Sequence, residues 1–186
     1  MNSQDILLKE IIGIKMKLRS LSIEHWLNNE LFTWVWWLYI AVIVISVIVW
    51  LRYVNRKRIM EITLFGLLIA AAAIFLDIAG SEYPYWEYPI RLLPITPLIF
   101  PVDFIFLPIV DMYIYQKYPG WKNFLIANII AAAILSFIFE PLLTLFKAYH
   151  LVTWKYTYSF PIYILIAVIC KSIVQKMCQI CTWYNG

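Results

Sequence analysis

WVWWLYIAVIVISVIVWL, residues 34–51, runs into RYVNRKR at 52–58 and then into IMEITLFGLLIAAAAIFLDIA at 59–79. Each apolar stretch is close to the roughly 20 residues that a helix needs to cross about 30 Å of hydrocarbon at 1.5 Å per residue. The seven residues between them allow only an antiparallel return, so the stretch predicts two membrane helices joined by a tight basic turn. Arg52, Arg56, Lys57 and Arg58 make that turn the clearest topological marker in the chain.

Composition extends this reading to the whole protein. Of 186 residues, 63% are hydrophobic, 18% aromatic and only 14% charged, where a soluble domain carries about a quarter charged residues. The mean hydropathy of +0.78 agrees, and the solvent is lipid. The net charge of +4 sits in short clusters beside apolar spans. Anionic headgroups are therefore the expected partner, and nucleic acid is not. Further spans are predicted near 93–116, 123–147 and 159–177. Every connection is short, so the expected fold is all-α: a polytopic membrane bundle of about five helices over residues 31–186.

Residues 1–30 read differently. Ile6, Leu7, Ile11, Ile14, Leu18 and Leu21 recur at three- and four-residue intervals, with Lys9, Lys15, Lys17 and Arg19 on much of the remaining surface. This pattern predicts an amphipathic helix in the interface. Asp5 and Glu10 interrupt any signal-like run, so no cleaved leader is expected. Trp26, Trp34, Trp36 and Trp37 then flank the first span at headgroup depth.

The connection at 80–92 has one basic residue, Arg91, beside Glu82 and Glu87. Counting Lys and Arg near span ends places it outside, with the N-terminus outside and the C-terminus inside. The margin is thin, eight basic residues against seven, because the N-terminal segment is itself basic. Cys178 and Cys181 have C-x-x-C spacing, but His25 and His150 lie far from them and from each other, so unpaired thiols are expected and no metal or other cofactor.

Carboxylates within spans are costly, about 2.5 to 3.5 kcal/mol each at the bilayer centre on insertion scales. Asp77 ends the second span, Asp103 lies early in the third, and Glu140 lies shortly before the fourth emerges. In alternating helices these three share one half of the bilayer. Asp111 lies about 12 Å further along the third helix, where Lys117 or Lys122 is the expected partner. Two readings stay open for the acids: helix caps, hydrogen bonds to tyrosines or ion pairs with Arg91, Lys147 or Lys155, or convergence of Asp103 and Glu140 on a polar cavity.

Pro94, Pro97, Pro101 and Pro108 predict an irregular third helix, and Pro141 follows Glu140 directly. Both acids thus sit beside loosened backbone, a recurring feature of ion and transport sites. The connection Ser81-Glu-Tyr-Pro-Tyr-Trp-Glu-Tyr-Pro-Ile-Arg91 carries four aromatic rings and two acids, and predicts an interfacial anchor or a lid above the acids. The Lys155-Tyr-Thr-Tyr-Ser-Phe stretch after Trp154 is expected on the same face. The candidate ligand-binding residues are Asp77, Asp103, Glu140, Arg91 and Trp86. No P-loop, dinucleotide fingerprint, nucleophile elbow or zincin motif is present.

The set Trp86, Tyr88-Pro89, Asp103-Phe104, Pro108, Tyr115-Gln116-Lys117-Tyr118-Pro119, Trp121-Lys122, Phe139-Glu140-Pro141-Leu142 and Trp154 resembles a family of small multi-pass membrane proteins of endospore-forming Gram-positive bacteria. The resemblance covers roughly residues 60–175. It implies a bacterial cytoplasmic membrane and brings no catalytic residues with it. A fainter similarity is to membrane-embedded isoprenoid cyclases of the lycopene-cyclase type, whose paired acidic motif beside proline is replaced here by the single Glu140-Pro141. The expected function is that of a non-enzymatic membrane protein, either a small-ligand- or cation-binding component or a subunit of a membrane assembly, with a homo-oligomer or a membrane protein as the partner. An acid-catalysing enzyme of isoprenoids or lipids, and a proton- or cation-coupled transporter, are the alternatives.

Overall fold

The computed structural model describes residues 3–94 and 98–184, with side chains described from 4 to 180; the readings of Pro97 and of the Cys181 thiol fall outside them. Helix α1 (Ser3–His25) leads through a π turn, Trp26–Glu30, to α2 (Trp34–Tyr53). The Thr33 side chain caps α2 by accepting from the Trp36 amide at 3.3 Å. A 3₁₀ turn, Arg56–Arg58, opens α3 (Ile59–Glu82). A π segment, Pro101–Phe106, continues into α4 (Leu107–Lys117). Helix α5 (Trp121–Ile134), a second π segment, Leu135–Phe139, and α6 (Glu140–Leu145) form one continuous rod. The last helix is α7 (Tyr156–Tyr184).

The protein is an all-α membrane bundle. Four rods are long and apolar enough to cross a membrane: 34–53, 56–82, 121–145 and 156–180. Most of their side chains face outward, and Ile45, Ile48, Phe75, Ile130 and Leu165 are each at least half exposed. In water such a surface would aggregate; in hydrocarbon it is the correct exterior.

The third expected span is shorter than the sequence predicts. Its helical backbone begins at Phe100 rather than 93, leaving the π segment and α4 at 6 and 11 residues. Proline disfavours helical geometry in the residue before it, and Pro94, Pro97 and Pro101 crowd this approach. The two π segments have the same origin. Pro108 and Pro141 each lack an N–H and press on the carbonyl four residues back. Those carbonyls belong to Phe104 and Phe137, inside the two segments.

On one face of the bundle the turns pack tightly. The Gln116 side chain accepts from the Asn55 amide at 3.0 Å and donates to the Tyr53 carbonyl at 3.1 Å. Arg58 pairs with Glu61 at 2.8 Å, and Glu61 also accepts from the Tyr115 hydroxyl. On the opposite face, β1 (Trp86–Glu87) pairs antiparallel with β2 (His150–Leu151), Trp86 opposite Leu151 and Glu87 opposite His150. Both aromatic connections therefore lie on one face, as expected. Buried apolar residues form two clusters, one around Phe65, Tyr115 and Phe124 and one around Tyr39, Trp86 and Tyr149.

Candidate functional site

Four helical rods each turn one stripe of side chains toward a common space. From α3 come Ile69, Ala73, Leu76 and Asp77; from the third rod, Val102, Asp103, Leu107, Val110 and Asp111. The fourth supplies Asn128, Ala131, Ala132, Leu135 and Glu140, and α7 supplies Ser159, Ile162, Tyr163 and Ile166. Steps of one, three and four residues are what a single helical face produces, and the one step of five, from Leu135 to Glu140, crosses the wider π segment. Together with Trp86, Tyr88, Tyr149 and Trp154 these residues enclose a cavity of about 120 Å³, many times the roughly 10–15 Å³ that one water requires.

Of the predicted site residues, Asp77, Asp103, Glu140 and Trp86 all line this cavity. Asp77, Asp103 and Glu140 are 7%, 7% and 6% exposed. The Tyr88 hydroxyl donates to Asp77 Oδ1 at 2.7 Å, and the carboxyls of Asp77 and Asp103 are in side-chain contact. Among the described residues neither Asp77 Oδ2 nor Asp103 Oδ2 accepts a hydrogen bond of ordinary geometry, although the Trp86 indole and the Ile99 amide lie close by. Two carboxyls that touch away from water need something positive between them, a proton or a cation. Glu140 is better held: Tyr163 donates to Oε1 at 2.7 Å and Ser159 to Oε2 at 3.1 Å. The Trp154 indole in turn donates to Ser159 Oγ at 3.0 Å, which links the acid to the aromatic roof.

That roof is built from both connections. Trp86 and Trp154 meet edge to face at 4.9 Å, and Tyr88 stacks on Tyr149 at 5.5 Å. The Tyr85 carbonyl accepts from the amides of Val152, Thr153 and Trp154 at 3.0 to 3.3 Å. Burial pushes the pKa of the Tyr88 and Tyr149 hydroxyls above the ordinary tyrosine value, and nearby carboxyls add to this. Both phenols therefore stay protonated, as donors. Gly80 sits directly beneath the Trp86 ring, where a Cβ would overlap the indole.

Two expectations need correction. Arg91 does not line the cavity or pair with its acids. It is taken by Glu30, which is 0% exposed, through Nη2 at 2.8 Å, its backbone amide at 2.6 Å and Nε at 3.3 Å. His25 Nδ1 lies 2.9 Å from the same carboxylate. The following backbone is strapped down as well: Tyr39, Trp26 and Trp36 donate to the carbonyls of Ile90, Arg91 and Leu92 at 3.1 to 3.2 Å. Irregular backbone near lipid needs such partners.

Asp111 does not turn to Lys117 or Lys122. It lines the same cavity, while the Lys117 ammonium lies over the Tyr113 and Tyr118 rings at 5.4 and 5.7 Å. Asp111 is in none of the ion pairs among the described residues, and its electrostatic neighbour there is the Cys170 thiol. Asn128, Tyr149, Ser159 and Tyr163 also line the cavity without having been singled out from sequence; the four-residue spacing of Ser159 and Tyr163, shared with Glu140's face, was the available signal. Lys171, 0% exposed, donates to the Tyr118 and Pro119 carbonyls at 3.2 and 2.9 Å and sits 3.9 Å from the Phe124 ring centre. It braces the turn between α4 and α5 and stays outside the cavity.

Among the described residues, no group of three or more His, Cys, Asp or Glu side chains is placed to hold a metal ion. The carboxyls are spread along the cavity instead. No protein-family profile matches the chain, and no curated protein or solved structure is significantly similar to it.

Proposed function

We propose that this chain is a membrane-embedded binding protein for a small organic cation, taken up in the acid-lined cavity beneath the aromatic roof. One observation carries the reading. Asp77, Asp103, Asp111 and Glu140 all line a cavity whose described wall contains no Lys, Arg or His. An ammonium group would answer the unpartnered oxygens of Asp77 and Asp103, and ring faces at the roof attract cations. The spread of the acids favours an organic cation over a directly ligated metal ion.

The binding protein is placed in a bacterial cytoplasmic membrane, with the roof and N-terminus outside. The clustering of Arg52, Arg56, Lys57, Arg58, Lys117 and Lys122 at the other face supports this orientation. The motif set from Trp86 to Trp154 supports kinship with the membrane proteins of endospore-formers.

Binding is tested on protein in lipid nanodiscs by tryptophan emission, which Trp86 and Trp154 at the roof make sensitive to occupancy. Butylammonium is titrated against 1-butanol, a neutral analogue of similar size. A charge-assisted contact worth about 1.5–3 kcal/mol makes the amine roughly tenfold to a hundredfold tighter. Equal response to both, or to neither, overturns the reading. A response to isoprenoid lipid alone would point instead to acid chemistry on an apolar substrate.

A further inference from the structure

The cavity has an acid at each end. Near the roof lie Asp77 and Asp103, each with a buried oxygen that accepts no hydrogen bond among the described residues. Eight residues further along the same rod lies Asp111, which also lines the cavity and whose electrostatic neighbour among the described residues is the Cys170 thiol. Helix α3 packs antiparallel to that rod, with Gly66 against Met112, and α5 returns from it through the short turn at 118–120, so Ile69 and Asn128 lie near the depth of Asp111, and Asn128 lines the same end. Between the two levels the wall is apolar: Ala73, Leu107, Ala132, Leu135 and Ile162. A single ammonium can satisfy one end only and leaves the other anion buried without a counterion, which is costly.

Resting on the cation reading above, we propose that the ligand is a linear α,ω-diamine, one ammonium at Asp77 and Asp103 and the other at Asp111 and Asn128, its methylene chain along the apolar waist. Length follows from geometry. Eight residues at 1.5 Å separate the acids by about 12 Å. A charge-assisted hydrogen bond takes up about 3 Å at each end, leaving about 6 Å between nitrogens. That is the reach of an extended chain of four or five carbons.

Calorimetric titration of the full chain in nanodiscs with propane-, butane-, pentane-, hexane- and octane-diamines, each beside the monoamine of equal length, tests this without a variant. Affinity is expected to peak at the four- and five-carbon diamines, tenfold or more above the matching monoamines. Asp111→Asn, nearly isosteric, is expected to weaken the diamines more than the matching monoamines and so remove that advantage. Monoamines binding as tightly as diamines at every length would overturn the diamine assignment and leave the cation site standing. So would Asp111→Asn weakening both classes equally. Binding of no amine of either class would overturn both.

Discussion

Replacing Glu30 by Gln should loosen the roof from the N-terminal turn, although Glu30 is far from the cavity acids in sequence. Its carboxylate is fully buried and receives the Arg91 guanidinium, the Arg91 backbone amide and the His25 ring. Gln keeps the shape but has only one acceptor oxygen and no charge, so the Arg91 guanidinium, 16% exposed, loses its counterion. Breaking a buried pair from one side costs about 3–5 kcal/mol. Retained water access at Arg91 lowers the expectation to about 2–4 kcal/mol. Unfolding in mixed micelles, followed by tryptophan fluorescence, measures this, and a double-mutant cycle with Arg91→Met isolates the pair, with an expected coupling of about 2 kcal/mol. Proteolysis of the 83–94 connection should accelerate in both single variants. A loss below about 0.5 kcal/mol, the scale of an ordinary surface change, with no coupling would refute the reasoning.

Gly80→Ala sets a Cβ against the Trp86 indole; overpacking should cost about 1–3 kcal/mol, shift tryptophan emission and weaken amine binding, all absent if the ring has room to move. Lys171→Met keeps apolar volume but strands the Tyr118 and Pro119 carbonyls. It should destabilise by about 1–3 kcal/mol in the same unfolding assay while leaving amine affinity unchanged. In a cysteine-free background, Tyr83→Cys should react with an impermeant maleimide from outside intact cells and Lys57→Cys only after lysis; the reverse pattern inverts the proposed orientation.

The bundle was legible because lipid imposes a length and a polarity on each span, and both are written locally in runs such as 34–51 and 59–79. Depth counting along alternating helices likewise brought Asp77, Asp103 and Glu140 to one level, and prolines marked where backbone loosens. Rotation about the helix axis was harder to read. An ideal helix turns Asp111 well away from Asp103, and the wider π turns of 101–106 alter that angle, so both acids reach the cavity. Arg91 was misplaced for a different reason. Its partner, Glu30, lies 61 residues away in a turn with no periodic signal. Lys171 carries no local signal in the sequence; only packing reveals the carbonyls and rings that enclose it.

Calorimetric titration of butylammonium into the wild-type protein and into Asp103→Asn, both in nanodiscs and matched for thermal stability, tests the cation site most directly. Saturable binding to the wild type, weakened at least tenfold in Asp103→Asn, is the predicted result. Equal affinity in the two proteins, or no heat of binding in the wild type, would contradict it.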